Sequence, residues 1–179
     1  MSVATARGSS ALMAPSLIRR MGSFVYEGLL LFGIGLIPGA IGAAYVAMAG
    51  HPHTLQSDSA LRAITLGIYA VYFTWFWSAR GQTLPMQTWH IRVVTAQGEP
   101  LSRGRALARF VASCAWVAPA AALAAVNHWT RWEGLATIAV GVVAYALLAL
   151  AHPQHQFWHD ALCGTRLVSS PPATVDVRN

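Results

Sequence analysis

A long apolar segment from Met21 to Ala49, MGSFVYEGLLLFGIGLIPGAIGAAYVAMA, is the feature from which the fold class of this chain is predicted. It is longer than the roughly 20 apolar residues that an α-helix needs to cross a bilayer. One charged residue, Glu27, interrupts it. The apolar region of a secretory signal has only about 7–15 residues, so the length and the glutamate favour a retained transmembrane helix. The Pro38-Gly39 step in its middle predicts a tilt or a kink.

Three further apolar runs follow, and they predict a protein with four membrane spans. We place the second span at Leu61–Trp77, the third at Ala106–Val126 and the fourth at Gly134–Ala151. Over the whole chain 55% of the residues are hydrophobic and 10% are charged, whereas soluble domains carry about 25% charged residues. A soluble fold of 179 residues cannot hide this much apolar surface. The excess must face lipid, so the lipid bilayer is the first expected partner.

The arginines predict how the spans are oriented. The chain has 12 residues of the Lys and Arg types, and all of them are arginine. Ten of them lie before span one, between span two and the first turns of span three, or after span four. Only Arg62 and Arg131 lie in the other two loops. Because basic residues concentrate in cytoplasmic loops, both termini are expected in the cytoplasm. Topology thus explains the net charge of +6, and we expect no nucleic-acid partner.

The loop between spans two and three is the largest soluble piece of the chain. Its segment Trp89–Thr95 is rich in β-branched and aromatic residues and predicts a short strand. Gln97–Pro100 predicts a turn, so we expect a small β-hairpin on the cytoplasmic face. A second strand signal at Gly164–Val168 is an alternative pairing partner. The predicted organisation is a disordered segment 1–15, an all-α integral membrane domain 16–168 with four transmembrane helices and this small hairpin, and a disordered tail 169–179.

Glu27 is the polar group that most needs a partner, since a charge within the bilayer costs roughly 2.5–3.5 kcal/mol. Arg20 lies seven residues earlier on the same stripe of the helix, but about 10 Å away along the axis. That separation is too long for a direct pair. We expect Arg109, at the foot of span three, to pair with Glu27, and Asp160 in the tail to pair with Arg20. A structural ion-pair network and a proton, ion or ligand site are both open interpretations.

Small residues predict where the helices approach one another. Gly35 and Gly39 form a GxxxG pattern in span one, and Ala118 and Ala122 repeat that spacing in span three. Small residues at this spacing let helix backbones come close in lipid. We expect spans one and three to pack internally, with homodimerisation through the same stripe as the alternative.

The cysteines and histidines give little support for a metal, cofactor or disulfide. Cys114 falls in an apolar run and Cys163 in the tail, so we expect two reduced thiols. His155 and His159 have a spacing that suits a shared metal, but no further ligand set accompanies them, and we expect solvated imidazoles. No nucleophile–base set, phosphate-binding glycine loop or pair of catalytic carboxylates stands in the chain, so we expect no enzyme.

Several motifs, in order along the chain, make it similar to the RDD family of membrane proteins. That family is named for an arginine at the start of its first transmembrane helix and for two aspartates. Arg20 stands in the arginine position, Glu27 where the family has its first aspartate, and Asp160 in the position of the second. The other matching elements are Gly81-Gln82-Thr83-Leu84, Ile91–Val94, Arg105–Arg109 and His159–Thr165.

The resemblance covers about Ser16 to Val168 and implies which residues matter. The motif residues would be Arg20, Glu27 and Asp160, supported by Gln82, Thr83, Arg109 and His159. Two departures stand out: Glu27 reaches one methylene further than an aspartate, and Pro85-Met86 replace the Gly-Lys usual in the family.

The resemblance also implies a location and a weak functional direction. It implies a multi-pass protein of the inner membrane. The function of the family is largely unknown, although transport of unidentified ligands has been suggested and cation/proton antiport is implied for some members. We therefore expect a transport or transport-accessory role, which with only four spans requires an oligomer. The alternative is a membrane scaffold that binds a partner membrane protein and uses its arginines and acids structurally.

Overall fold

The computed structural model describes residues 14–49, 58–115, 118–127, 129–149 and 156–170. The predicted disordered ends lie largely outside these residues. Pro15 is buried, and Ser169 belongs to a strand. The fold is mostly helical, with one small sheet. Its elements are α1 (Leu17–Ala49), α2 (Asp58–Ala79), α3 (Leu84–Thr88), β1 (Ile91–Thr95), α4 (Arg103–Ala115), α5 (Ala118–Val126), α6 (Arg131–Leu148), α7 (Trp158–Leu162) and β2 (Thr165–Ser169).

Helix α1 contains the predicted first span and begins at Leu17 rather than Met21. Its segment Leu17–Tyr45 has 29 residues and is the one helix in the described part that is long and apolar enough to cross a membrane. Only 11% of its apolar 18-residue stretch is buried inside the protein. The core helix of a soluble protein is mostly buried, so the outward-facing apolar surface of α1 is typical of a helix that faces lipid. Pro38 is accommodated inside the helix.

The other three predicted spans coincide with helices. The second falls within α2 and the fourth largely on α6, whose apolar part Trp132–Leu148 is shorter than the crossing segment of α1. The third falls on α4, which ends at Ala115, and on α5, which begins at Ala118. Along the chain, α2 packs on α4, and α5 packs on α6.

The sheet joins the loop between α2 and α4 to the tail of the chain. Strand β1 pairs antiparallel with β2, from Ile91 opposite Ser169 to Thr95 opposite Thr165. The predicted local hairpin is therefore wrong, and the alternative pairing with the tail is confirmed. The physical reason is that the turn after β1 leads into α4 at Arg103, so the chain there has no second strand to offer.

The buried core lies at one end of the long helices, where the end of α2, the start of α4 and the sheet meet. Ile91 and Val93 are among its most buried residues, at 1% and 0% exposure. The cluster consists of Trp77, Met86, Ile91, Val93, Leu101, Ala106, Phe110 and Leu167. Because the sheet and short helices sit on this core, they hold polar side chains against the ends of α1, α2 and α4.

The GxxxG pattern of α1 packs differently from the prediction. The hydroxyl of Tyr69 on α2 donates to the carbonyl of Leu31 at 2.8 Å, and a Cβ at Gly35 would lie 2.7 Å from that hydroxyl. At Gly39 no atom of a described residue, outside the adjoining backbone of α1, lies within 4 Å of such a Cβ. At Gly35 the close neighbour is a tyrosine of span two and not a residue of span three. Packing of spans one and three through the rest of the stripe stays a prediction. Homodimerisation through this stripe stays a prediction.

Both cysteines are free thiols, as predicted. Cys114 is half-buried and packs against the core cluster. Cys163 lies in the tail just after α7, where burial raises the pKa of its thiol. A raised pKa keeps the thiol protonated and unreactive at neutral pH, which suits a packing role.

Candidate functional site

Glu27 lies on α1 in a pocket made by α2 and the loop that leads into α3. The residue is 8% exposed. The Tyr72 hydroxyl donates to Oε1 of Glu27 at 2.8 Å, and the Thr83 hydroxyl donates to Oε2. Arg109 attracts the carboxylate electrostatically, but it bonds elsewhere. The predicted Glu27–Arg109 pair is therefore wrong, because neutral hydroxyl groups hold both oxygens of the carboxylate.

The Gly-Gln-Thr element positions Thr83 for this contact. Gly81 has a φ of 67°, and its carbonyl accepts from the Val93 N–H at 2.8 Å. Gln82 Nε2 donates to the Ile91 carbonyl at 2.8 Å. These two bonds fasten the end of α2 along β1, and the next residue, Thr83, then points at α1.

Thr83 has two functions at once. It is the N-cap of α3, and its hydroxyl oxygen accepts from the Met86 N–H at 3.4 Å while its hydrogen goes to Glu27. Pro85 stands in the first turn, where its missing N–H leaves no helical hydrogen bond unmade. The Pro-Met that replaces the family's usual Gly-Lys is therefore compatible with the cap, and both residues are buried.

A second polar cluster joins α4 to the tail. Arg109 Nε donates to Asp160 Oδ1 at 2.6 Å, with side chains 6% and 0% exposed. The Arg109 guanidinium carbon also lies 4.1 Å from the ring centroid of Trp77, a favourable cation–π position. The Thr165 hydroxyl donates to the Asp160 carbonyl at 3.2 Å. Within the described residues, the buried Oδ2 of Asp160 has no hydrogen-bond partner.

Arg20 takes a position beside this cluster. Its Nε donates to the Pro15 carbonyl at 2.8 Å, and its guanidinium carbon lies 5.5 Å from the ring centroid of Phe157. The charges of Arg20 and Asp160 attract each other, but the direct hydrogen bond of Asp160 goes to Arg109. The predicted direct pair between Asp160 and Arg20 is therefore wrong. The reason is that α7 packs against α4 and brings Asp160 to Arg109.

The His159 side chain is only 12% exposed and is held within the protein rather than solvated, so the prediction for this residue is wrong. Its backbone N–H donates to the Tyr145 hydroxyl at 3.0 Å, and its Nδ1 lies 2.7 Å from the same oxygen. Which of these two atoms donates depends on the tautomer of the ring. Nε2 faces Asp160 Oδ1 at 3.5 Å. Burial lowers the pKa of His159 to about 4, so the ring is neutral at pH 7. His155 lies outside the described residues.

Sequence reasoning missed four polar residues of these clusters. Tyr72 and Tyr145 each place a hydroxyl inside a predicted span, and that signal was available. Thr165 stood in the terminal motif without an assigned role. Gln156 carried no local signal, because its amide bonds to both backbone groups of Leu167, 11 residues later.

The two clusters differ in their chemistry. Glu27 is an acid with two neutral donors, a set that can exchange a proton or hold a small cation. Arg109 and Asp160 form a compensated ion pair, a set that holds elements together. Among the residues that the structure describes, no group of three or more His, Cys, Asp or Glu side chains is placed to hold a metal ion.

Comparison with known proteins gives a family. No curated protein and no solved structure matches the chain. A model of the RDD family matches residues 14–164, a range that includes Glu27, Arg109 and Asp160 together with β1 and ends just before β2. RDD proteins are membrane-associated, in agreement with the exposed apolar surface of α1. The chain therefore belongs to the RDD family.

Proposed function

We propose that this protein is a transport or transport-accessory protein of the inner membrane and that Glu27 binds the proton or small cation it handles. One observation carries the proposal. A buried carboxylate, on the helix best suited to cross the membrane, is held by two neutral hydroxyls and not by an arginine. The proposal includes no enzyme activity and no cofactor.

The charge of Glu27 is the first step of the argument. Hydroxyl groups orient a carboxylate and satisfy its oxygens, but they do not neutralise it. A charge in low-dielectric surroundings is costly unless a counter-charge or a proton compensates it. Tyr72 and Thr83 provide no counter-charge, and the charge of the nearby Arg109 is already paired with Asp160, so a bound proton or cation is the natural compensation.

Reversibility is the second step. A hydroxyl group both donates and accepts hydrogen bonds. When Glu27 is ionised, Tyr72 and Thr83 donate to it. When Glu27 is protonated, its own O–H can donate to one of these oxygens without any helix moving. Oxygen atoms are also the ligands that hard cations prefer. The pocket is thus suited to loading and unloading a small positive ion.

The proposal includes a topology. We place four spans on α1, α2, α4 with α5, and α6, with both termini in the cytoplasm. The support is that ten of the 12 arginines lie at or before the start of α1, between α2 and the first turns of α4, or after α6, a distribution that fits the positive-inside rule. Four spans are few for a carrier, so we propose a homo-oligomer or a complex with a partner membrane protein.

The test is ion flux in proteoliposomes that contain a pH-sensitive dye. Pulses of Na⁺, K⁺ or Li⁺ are expected to drive proton movement in the native protein. Glu27→Gln removes the charge and is expected to abolish the movement. Glu99→Gln makes the same chemical change at an exposed position and should leave it intact. Absence of flux from the folded native protein, or unchanged flux in Glu27→Gln, would reject the proposal.

A second candidate function is a membrane scaffold. The observation in its favour is the Arg109–Asp160 pair, which is fully internal and joins α4 to the tail. In that case Glu27→Gln would leave partner binding unchanged as long as the helices pack. Cross-linking from exposed positions of β1 and its following turn would then identify the partner.

A further inference from the structure

An apolar groove of about 790 Å³ runs along the first turns of α1, beside the end of α3. Its long wall is a stripe of α1 side chains, Ile18, Met21, Val25 and Leu29. Spacings of three and four residues place these side chains on one face of the helix. Ile18, Val25 and Leu29 are 80%, 60% and 65% exposed, so the wall is open to whatever surrounds the protein.

Trp89 closes the other side of the groove. Its indole lies so close to α1 that a Cβ at Gly22 would be 2.5 Å from two of the ring carbons. Gly22 therefore lets the ring lie directly against the helix. Tryptophan favours the boundary between bilayer and water, which places this end of the groove at the membrane surface.

Arg19 lies against the backbone of Trp89 and remains a cation. Its Nε and Nη2 donate to the Trp89 carbonyl at 3.1 and 2.5 Å, Nη2 also to the His90 carbonyl at 2.8 Å, and Nη1 to the Ser169 hydroxyl at 3.3 Å. All of these acceptors are neutral oxygens. A guanidinium has five N–H donors, so one on Nη1 is left over, and within the described residues no acid neutralises the charge.

The dimensions of the groove match one leaflet of a bilayer. From Ile18 to Leu29 the helix rises about 16 Å, close to half of a hydrocarbon core about 30 Å thick. The apolar segment Leu17–Tyr45 is about 43 Å long, which equals a bilayer with its headgroup regions. Arg19, near the start of that segment, then lies at headgroup level.

We propose that this groove is a binding site for one anionic phospholipid, with an acyl chain along α1 and the phosphate beside Arg19. The apolar wall suits the chain, and the uncompensated guanidinium suits the anionic headgroup. The proposal goes beyond ion handling at Glu27. It requires only that α1 is inserted in a membrane. An absence of ion flux would therefore contradict the proposed function but not this proposal.

The experiment counts lipids that stay bound to the full-length protein in native mass spectrometry, after incubation with equimolar phosphatidylglycerol and phosphatidylcholine. One phosphatidylglycerol is expected to be retained with a preference of roughly fivefold, which corresponds to about 1 kcal/mol per arginine at a membrane surface. Arg19→Gln is expected to lose the preference. Arg92→Gln is the matched control, because Arg92 is exposed and donates only to the Arg80 carbonyl in the described residues.

A second pair of variants tests the groove itself and does not depend on how Arg19→Gln folds. Val25→Trp fills the groove and should abolish retention of the lipid. Ile41→Trp adds the same bulk at an exposed position further along α1 and should leave retention unchanged. Equal retention in both tryptophan variants, an unaltered headgroup preference in folded Arg19→Gln, or competition by inorganic phosphate alone would overturn the proposal.

Discussion

Arg109 and Asp160 are 51 residues apart in the sequence and form a buried ion pair 2.6 Å long. The arginine comes from α4, and the aspartate comes from α7, which follows the last long helix. A buried pair of this kind contributes little net stability by itself, but removal of one partner leaves a buried charge uncompensated. The pair therefore holds the tail of the chain against α4.

We predict that Arg109→Gln or Asp160→Asn lowers the free energy of unfolding by roughly 3–5 kcal/mol. Thermal unfolding in detergent, followed by circular dichroism, measures the effect. Arg105→Gln changes an exposed residue of the same helix and should shift stability by no more than about 0.5 kcal/mol. Equal shifts in Arg109→Gln and Arg105→Gln would show that the ion pair does not hold the tail.

Gly35 gives a prediction about the packing of α1 on α2. Alanine stabilises a helix interior by roughly 0.5–1 kcal/mol relative to glycine. In the part of the chain that the structure describes, a Cβ at Gly33 meets no atom outside the adjoining helix backbone within 4 Å, so Gly33→Ala should show that gain. Gly35→Ala should instead be destabilising by about 1 kcal/mol, because its Cβ displaces the Tyr69 hydroxyl from the Leu31 carbonyl.

A double-mutant cycle isolates this contact. In a Tyr69→Phe background the hydroxyl is gone, so Gly35→Ala should recover the gain seen at Gly33. Unfolding of the four variants in the same detergent provides the comparison. If Gly35→Ala were equally harmful with and without the Tyr69 hydroxyl, the assigned contact would be incorrect.

Gly81 gives a prediction about the Gly-Gln-Thr element. Its φ of 67° disfavours residues with a Cβ by about 1–2 kcal/mol, and a Cβ would lie 2.9 Å from the Val93 carbonyl oxygen. Gly81→Ala should therefore be the most destabilising of a series. Gly164→Ala, with a φ of 61° and free space, should show the backbone penalty alone, and Gly104→Ala in α4 neither effect. The order of the three unfolding midpoints is the test.

His159 predicts a loss of stability in acid. Burial lowers the pKa of His159 to about 4 from its ordinary value of 6.5. The unfolded chain thus takes up this proton at a higher pH than the folded protein, and stability falls as the pH drops from 6.5 to 4. The loss amounts to roughly 3 kcal/mol at most. The groups that face the ring are Tyr145, Asp160 and Arg109.

The matched variant is His159→Gln, which cannot take up this proton. Its unfolding midpoint should change less between pH 6.5 and pH 4 than that of the native protein. A parallel acid loss in the two proteins would assign the effect to other groups.

The local sequence was sufficient for features that depend on neighbouring residues. The length and apolarity of α1 follow from one continuous stretch, and so does the strand at Ile91–Thr95. The family followed as well, because its motifs are short and lie in order. Such features need no knowledge of what packs against them.

The pairing of distant side chains depended on the tertiary structure. The sequence predicted that Arg109 pairs with Glu27 and that Asp160 pairs with Arg20. Charge alone cannot choose between these pairs, because either acid can pair with either arginine. The packing of α7 on α4 placed Asp160 at Arg109, and the loop before α3 placed Thr83 at Glu27. The second strand also came from the tail, since a strand binds whichever edge the fold brings beside it.

Local sequence is thus enough to predict an apolar helix with an acid inside it, a short strand and the RDD motifs. The folded arrangement was needed to show that the acid is held by hydroxyls, that the tail completes the sheet, and that Gly35 admits a tyrosine of α2. The physical reason is the distance along the chain over which each kind of interaction acts. Hydropathy and backbone propensity act over a few residues, whereas hydrogen bonds and ion pairs are satisfied by any group within about 3 Å, however distant it is along the chain.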